Sequence, residues 1–329
     1  MKKSLTATIA IVALASAGLA ACTNDTPKLP APQTQASEDS APNLDETQVA
    51  TVIAEVEETL QAGDEALDAS LIDPRAKDPA RAMISAIYNL AKARGESVTS
   101  VDWDEDAATV TQTDSWPRAI VVPSKPVEGE LPKIAVITQD TARDPYKLQS
   151  WVRMFPGESL QTISVSEGSP VVEVNSNKFL LTPKKALTTW TEKLDGTPED
   201  AELFEEDEFT LEYQDQKSKL TEALGENGKV TFAATAAEEP LTAVQMPDGS
   251  ALVLGHITYT VTYERVTENA KIKLGGTVAE LMDDPQVTDK PVEVTYIVSV
   301  ALTVPSAEAS AKIQMIGAER QILKIRTVE

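Results

Sequence analysis

The chain has 329 residues, with 29 basic against 52 acidic ones and a formal charge of −23, which argues against a nucleic-acid partner because phosphate backbones demand positive charge. It holds one histidine, His256, and one cysteine, Cys22, so Ser-His-Asp and Cys-His arrangements, multi-histidine metal centres and intrachain disulfides are all excluded. At 42% hydrophobic residues there is enough apolar material for two buried cores.

At the start of the chain, Lys2 and Lys3 precede an apolar run from Leu5 to Leu19, the layout of a secretory signal. Leu19-Ala20-Ala21-Cys22 resembles a bacterial lipobox, in which cleavage precedes the cysteine and the thiol receives a diacylglycerol. Two acyl chains anchor stably where one binds only reversibly. An ordinary signal peptide and a transmembrane anchor are the competing readings; the run is about 15 residues, short of the roughly 20 a spanning helix needs. Residues 1–21 are thus read as a lipoprotein signal peptide, and 22–43 as the lipidated cysteine and a disordered tether. Pro27, Pro30, Pro32 and Pro42 stand there among polar and acidic residues that bury little apolar surface.

Val49, Val52, Ile53, Val56 and Leu60 then recur at helical spacing, with Gly63 interrupting the pattern. A second helix is expected from Pro79, with Met83, Ile84, Ile87, Tyr88, Leu90 and Ala91 on one face and Gly95 closing it. Short apolar runs follow at Val98 to Trp103, Ala108 to Thr113, Trp116 to Val122, Lys133 to Gln139 and Leu148 to Met154, and predict antiparallel strands. Pro156-Gly157 breaks the chain. After Pro183 it restarts, with a helix over Lys184 to Leu194 and an acidic helical stretch from Pro198 to Leu224. Strands are predicted at Lys229 to Ala234, Thr242 to Met246, Ala251 to Arg265, Lys271 to Leu274, Val292 to Val304, Lys312 to Ile316 and Gln321 to Val328, with Pro247-Asp248-Gly249 as a hairpin turn.

Two rounds of helices followed by sheet predict an α+β protein of two successive modules, 44–182 and 183–329, each with helices packed across an antiparallel sheet. In element order alone this resembles the cone-shaped nuclear-transport-factor-like and cystatin-like folds.

Several motifs lead to no chemistry. No serine stands three residues ahead of a lysine, as penicillin-recognising enzymes require. Gly225-Glu226-Asn227-Gly228-Lys229-Val230 lacks the glycine spacing and terminal hydroxyl of a phosphate loop, and reads as a helix stop. Asp102-Trp103-Asp104-Glu105-Asp106 resembles the start of a calcium loop, but Ala107 and Thr113 replace the required glycine and closing glutamate. The acidic cluster from Glu199 to Glu208 reads as a solvated helix face, with paired glycosidase carboxylates as the competing reading. His256, in an apolar strand without a sequence partner, reads as a core or edge residue.

Ser115-Trp116-Pro117-Arg118, Leu131 to Gln139, Asp144-Pro145-Tyr146-Lys147-Leu148, Trp151 through Pro156-Gly157, and the run from Ala251 to Val261 are similar to segments of uncharacterised actinobacterial lipoproteins. That resemblance implies a cell-surface lipoprotein with a domain of unknown function, and supplies no catalytic residues.

Without Lys2 and Lys3 the mature chain carries 27 basic and 52 acidic residues, and the charge is uneven. Trp116 to Lys193 holds ten basic and eight acidic residues together with most of the aromatic residues just quoted. Trp116, Arg118, Tyr146, Trp151 and Arg153 are therefore the candidate ligand-binding residues, for a small anionic or carbohydrate ligand. The competing reading is a half-buried sheet that sinks its tryptophans and projects its arginines. The expectation is a membrane-anchored extracytoplasmic lipoprotein on the outer face of the cell membrane. It would bind an envelope protein or small ligand without catalysis or cofactor. A carboxylate-dependent hydrolase or transferase and a structural adaptor for membrane proteins are the alternatives.

Overall fold

The computed structural model describes residues 41–328, so Cys22, the signal segment and most of the tether lie outside the described residues. The elements in chain order are α1 (Glu46–Ala66), α2 (Ala80–Arg94), β1 (Thr109–Gln112), β2 (Arg118–Pro123), β3 (Lys133–Gln139), β4 (Lys147–Met154), β5 (Ser169–Pro170), α3 (Pro183–Asp195), α4 (Glu208–Leu224), β6 (Gly228–Ala236), β7 (Thr242–Gln245), β8 (Ala251–Arg265), β9 (Ile272–Lys273), α5 (Gly276–Glu280), β10 (Gln286–Val287), β11 (Val292–Val304) and β12 (Gln314–Thr327). No helix among them is long and apolar enough to cross a membrane.

Local chemistry explains the helix ends. Asp45 accepts from the Gln48 amide while the Gln48 side chain returns a bond to the Asp45 amide, a capping box that satisfies two free donors of α1. Val49, Ile53 and Val56 of that helix are buried. Gly63 does not end it: α1 runs on to Ala66, and Gly63 is the point where Ile72 and the Tyr88 hydroxyl come so close that a Cβ would lie 2.5 Å from one and 2.7 Å from the other. Helix α2 ends as expected at Gly95, whose φ of 68° is left-handed. The acidic stretch 198–207 is not a continuous helix; α4 begins only after Asp207, which caps it.

Most strands fall where the apolar runs put them, with two differences. Val98 to Trp103 forms no strand beyond a single bridge from Trp103 to Ser124. The two segments expected at Lys312 to Ile316 and Gln321 to Val328 are one strand, β12, running straight through Gly317-Ala318-Glu319-Arg320. Pro247-Asp248-Gly249 does turn β7 into β8, with Gly249 at φ 82°.

The largest correction concerns the architecture. There are not two helix-then-sheet modules of the cone type. Ten strands form one mixed sheet in the order β5-β1-β2-β3-β4-β12-β11-β8-β6, with β7 also on β8. The halves meet where β4 pairs with β12 at Gly317 opposite Met154 and Ala318 opposite Arg153. Glycine is required there, because a Cβ on residue 317 would lie 2.6 Å from the Arg153 carbonyl oxygen. At the far edge β5 lies parallel to β1, and Val171 bridges to Val244 of β7, so the sheet curls back on itself.

The curl creates a core that neither half has alone. Val121, Ile134, Val136 and Val152 from the first half pack with Val244, Leu252, Leu254, Ala301 and Ile316 from the second. On the other face of β2, β3 and β4, Ile120, Val122, Ala135, Ile137 and Leu148 pack against Val49, Ile53, Met83 and Tyr88 of α1 and α2. The first-half strands are thus covered on both faces, which explains their continuous apolar runs and corrects the half-buried-sheet expectation. The long strands β8 and β11 turn Val253, Tyr259, Val298 and Val300 toward Leu187, Trp190, Phe209 and Tyr213 of α3 and α4.

Candidate functional site

The five residues singled out in the sequence occupy two ends of the first-half strands. Arg118 stacks on Trp116, its guanidinium carbon 4.2 Å from the ring centroid, a cation–π contact. The Arg118 Nε and the Tyr146 hydroxyl are both buried with no hydrogen-bond partner among the described residues. Burial pushes the Tyr146 phenol up to about 12, against the pull of the Arg118 charge. Trp151 is buried among the α1 and α2 contacts, and Arg153 is exposed at the other end of β4.

A cavity of about 770 Å³ lies elsewhere. It is a cleft within the size range of small-molecule sites, bounded by α2, α4 and the β9–α5 segment and floored by β8, β11 and β12. The two-residue period of strands brings Tyr263 of β8, Tyr296 of β11, and Arg320 and Ile322 of β12 to this floor. An aromatic ladder continues from it on the same face: Tyr259 stacks on Tyr296 at 4.6 Å, and Tyr213 of α4 meets Tyr259 edge-on at 5.2 Å. Helix α4 is seated by Asp207, whose carboxylate accepts from the Thr210 amide at 2.7 Å and from the Trp190 indole at 3.0 Å. The one acid of the 199–208 cluster that turns inward is therefore a structural cap.

Arg320 is the polar centre of the floor. It donates to the Tyr259 hydroxyl at 3.2 Å and to Glu212 at 3.3 Å, and lies over the Tyr296 ring at 5.7 Å. Burial works against its charge, but the Tyr259 and Glu212 contacts outweigh that and raise its pKa. Burial likewise raises the phenols of Tyr263 and Tyr296, so both stay protonated as donors.

The charge of the lining is opposite to that of the chain. Among the described residues it includes Arg94, Lys271, Lys273 and Arg320 and no acidic residue. Arg94 pairs with Glu280 at 2.8 Å, just outside the lining. Lys271 and Lys273 are exposed and have no ion-pair partner among the described residues. Sequence reasoning missed this site. Its signals were present: Lys271 and Lys273 alternate with Ile272 and Leu274, and Glu319-Arg320 follows the apolar run Met315-Ile316-Gly317-Ala318.

A second, smaller pocket of about 250 Å³ lies between α1, α2 and strands β3, β4 and β12, walled by Trp103, Trp151, Tyr88 and Ile84. Asp64 and Glu319 also line it. Asp64 accepts from the Tyr88 hydroxyl at 2.8 Å and from Ser100 at 2.7 Å. Burial raises the Glu319 carboxyl pKa, partly offset by Arg153, the Gln321 amide and Lys133. The Trp103 indole nitrogen is buried with no hydrogen-bond partner among the described residues.

His256 is half-buried on β8, with burial holding its pKa below the ordinary imidazole value and its Nδ1 unpartnered. The calcium-like segment is a short turn in which Glu105 pairs with Lys125 at 3.3 Å. Compared with known protein families, curated proteins and solved structures, the chain matches none of them.

Proposed function

We propose that this protein is a non-enzymatic lipoprotein of the actinobacterial cell-surface type, anchored outside the cytoplasm by a diacylglycerol on Cys22, that binds a small anionic ligand in the cleft between α2, α4 and the sheet. The observation that carries the reading is the lining: four cations and no acid on a chain of formal charge −23. A concave, locally positive site on an acidic protein concentrates anions that the rest of the surface repels.

Native mass spectrometry of the protein extracted from its own membranes tests this reading. A bound small anion is expected, and it should be lost from the Lys271→Glu, Lys273→Glu double variant, whose exposed positions leave the fold untouched. An adduct retained by that variant, or no adduct in the unaltered chain, overturns the site. Separately, Cys22→Ala should release the protein from the membrane fraction, and full retention would remove the lipid anchor.

A carboxylate-dependent hydrolase is the second reading, favoured by one observation: Asp64 and Glu319 share the wall of the small pocket. Equal turnover of envelope glycans by the unaltered chain and by Asp64→Asn would end it.

A further inference from the structure

We infer that the ligand of the cleft is an anionic amphiphile, with its charged head on the Arg320–Tyr263–Tyr296 floor and an apolar body against the inner wall of α4. This rests on the anion reading above and adds the chemistry of the rest of the molecule.

The floor is built for a multi-oxygen acid. A guanidinium has five N–H donors, and the two hydrogen bonds of Arg320, to Tyr259 and Glu212, leave others open. The phenols of Tyr263 and Tyr296, which line the same floor, add two hydroxyl donors. A carboxylate or phosphate head satisfies this set, since Arg forks onto such groups. Lys271 and Lys273, exposed on the β9 side of the same cleft, draw a charged head toward it.

A small soluble anion would leave most of the cleft unfilled. Leu220 and Leu224 of α4, Leu90 of α2, and Ile272, Val278 and Ile322 line the same space. They are apolar, and Leu90, Leu220, Leu224 and Ile322 are only half-buried. Apolar surface left against water in a concave site marks where an apolar ligand gains by displacing that water. With a volume of about 770 Å³ there is room for a head and an alkyl body together. Free fatty acids and phosphorylated lipids share this chemistry.

Titration calorimetry on the full chain carrying Cys22→Ala, so that no anchor competes, separates the parts. The probes are decyl phosphate, octyl phosphate, inorganic phosphate, decanoate and decanol. Decyl phosphate is expected to bind more tightly than octyl phosphate by about fourfold per methylene, the increment for burying one CH₂. Tyr263→Phe with Tyr296→Phe should weaken decyl phosphate about tenfold and leave decanol unchanged. Leu220→Gln should flatten the chain-length dependence.

Decanoate binding as well as decyl phosphate would assign a carboxylate lipid; decyl phosphate alone would assign a phosphorylated one. If inorganic phosphate binds as tightly as decyl phosphate, the amphiphile is wrong and the anion site stands. If decanol binds as tightly as decyl phosphate, the anionic head is wrong. If no probe binds, both this inference and the anion reading fall.

Discussion

Glu319 and Arg320 are neighbours on β12, yet one lines the small pocket and the other the cleft, because adjacent side chains of a strand face opposite sides. Both are penalised by burial, and the protein resolves the two cases differently. Arg320 keeps its charge through Tyr259 and Glu212, which outweigh desolvation. The partners of Glu319 do not, so burial raises its pKa and favours the neutral acid. The lesson is that partners, more than depth, decide whether a buried ionisable group remains available to an oppositely charged ligand.

The comparison can be broken at three levels. The largest effect is expected from Gly317→Ala, where the new Cβ meets the Arg153 backbone. Overpacking against atoms that cannot rotate away should cost about 3 kcal/mol. If the sheet is one unit, urea denaturation will show a single transition shifted to lower midpoint. Two separated transitions, with only one shifted, would restore independent halves.

Asp207→Ala should act on the cleft side alone. It removes the α4 cap and strands the Trp190 indole, for a loss of about 2 kcal/mol. Hydrogen exchange should rise in α4 and stay constant in α1; equal loosening of both would show that the two sides are not separable.

The smallest effect belongs to Glu319→Gln, and its sign depends on pH. A carboxyl with a raised folded pKa binds its proton more tightly folded than unfolded, so stability falls as pH climbs from the ordinary carboxylate range through the raised value. Glutamine lacks that dependence. The variant should match the unaltered chain at low pH and be modestly more stable near neutrality, as read from thermal midpoints across the range. A variant less stable at neutral pH would mean that Arg153 and Lys133 hold the carboxylate charged.

Much of the secondary structure was legible because it depends on neighbours in sequence. The α2 face from Met83 to Ala91, the hairpin at Pro247-Asp248-Gly249 and the long strands β8 and β11 follow from periodicity and turn chemistry. Where tertiary contacts override local preference, the reading failed. Gly63 looked like a helix stop but is a contact point for Ile72 and Tyr88. Glu319-Arg320 looked like a break in a strand, but Arg320 is held by Tyr259 and Glu212, distant in sequence, and Glu319 is taken into the small pocket.

The candidate site shows the same division. Trp116, Arg118 and Tyr146 do come together, but neither cavity includes them, and Trp151 is buried against the first-half helices. The cleft is assembled from α2, α4, β8, β9, β11 and β12, from Leu90 to Ile322, and no local pattern specifies that meeting. By itself the sequence determined the exclusion of multi-histidine and paired-thiol arrangements, the acidic net charge and most element positions, since composition and short-range periodicity carry those. Only the tertiary structure decided that one curled sheet replaces two modules and that scattered cations converge in one cleft. Strand pairing and side-chain convergence are long-range events, governed by which apolar faces can be buried together.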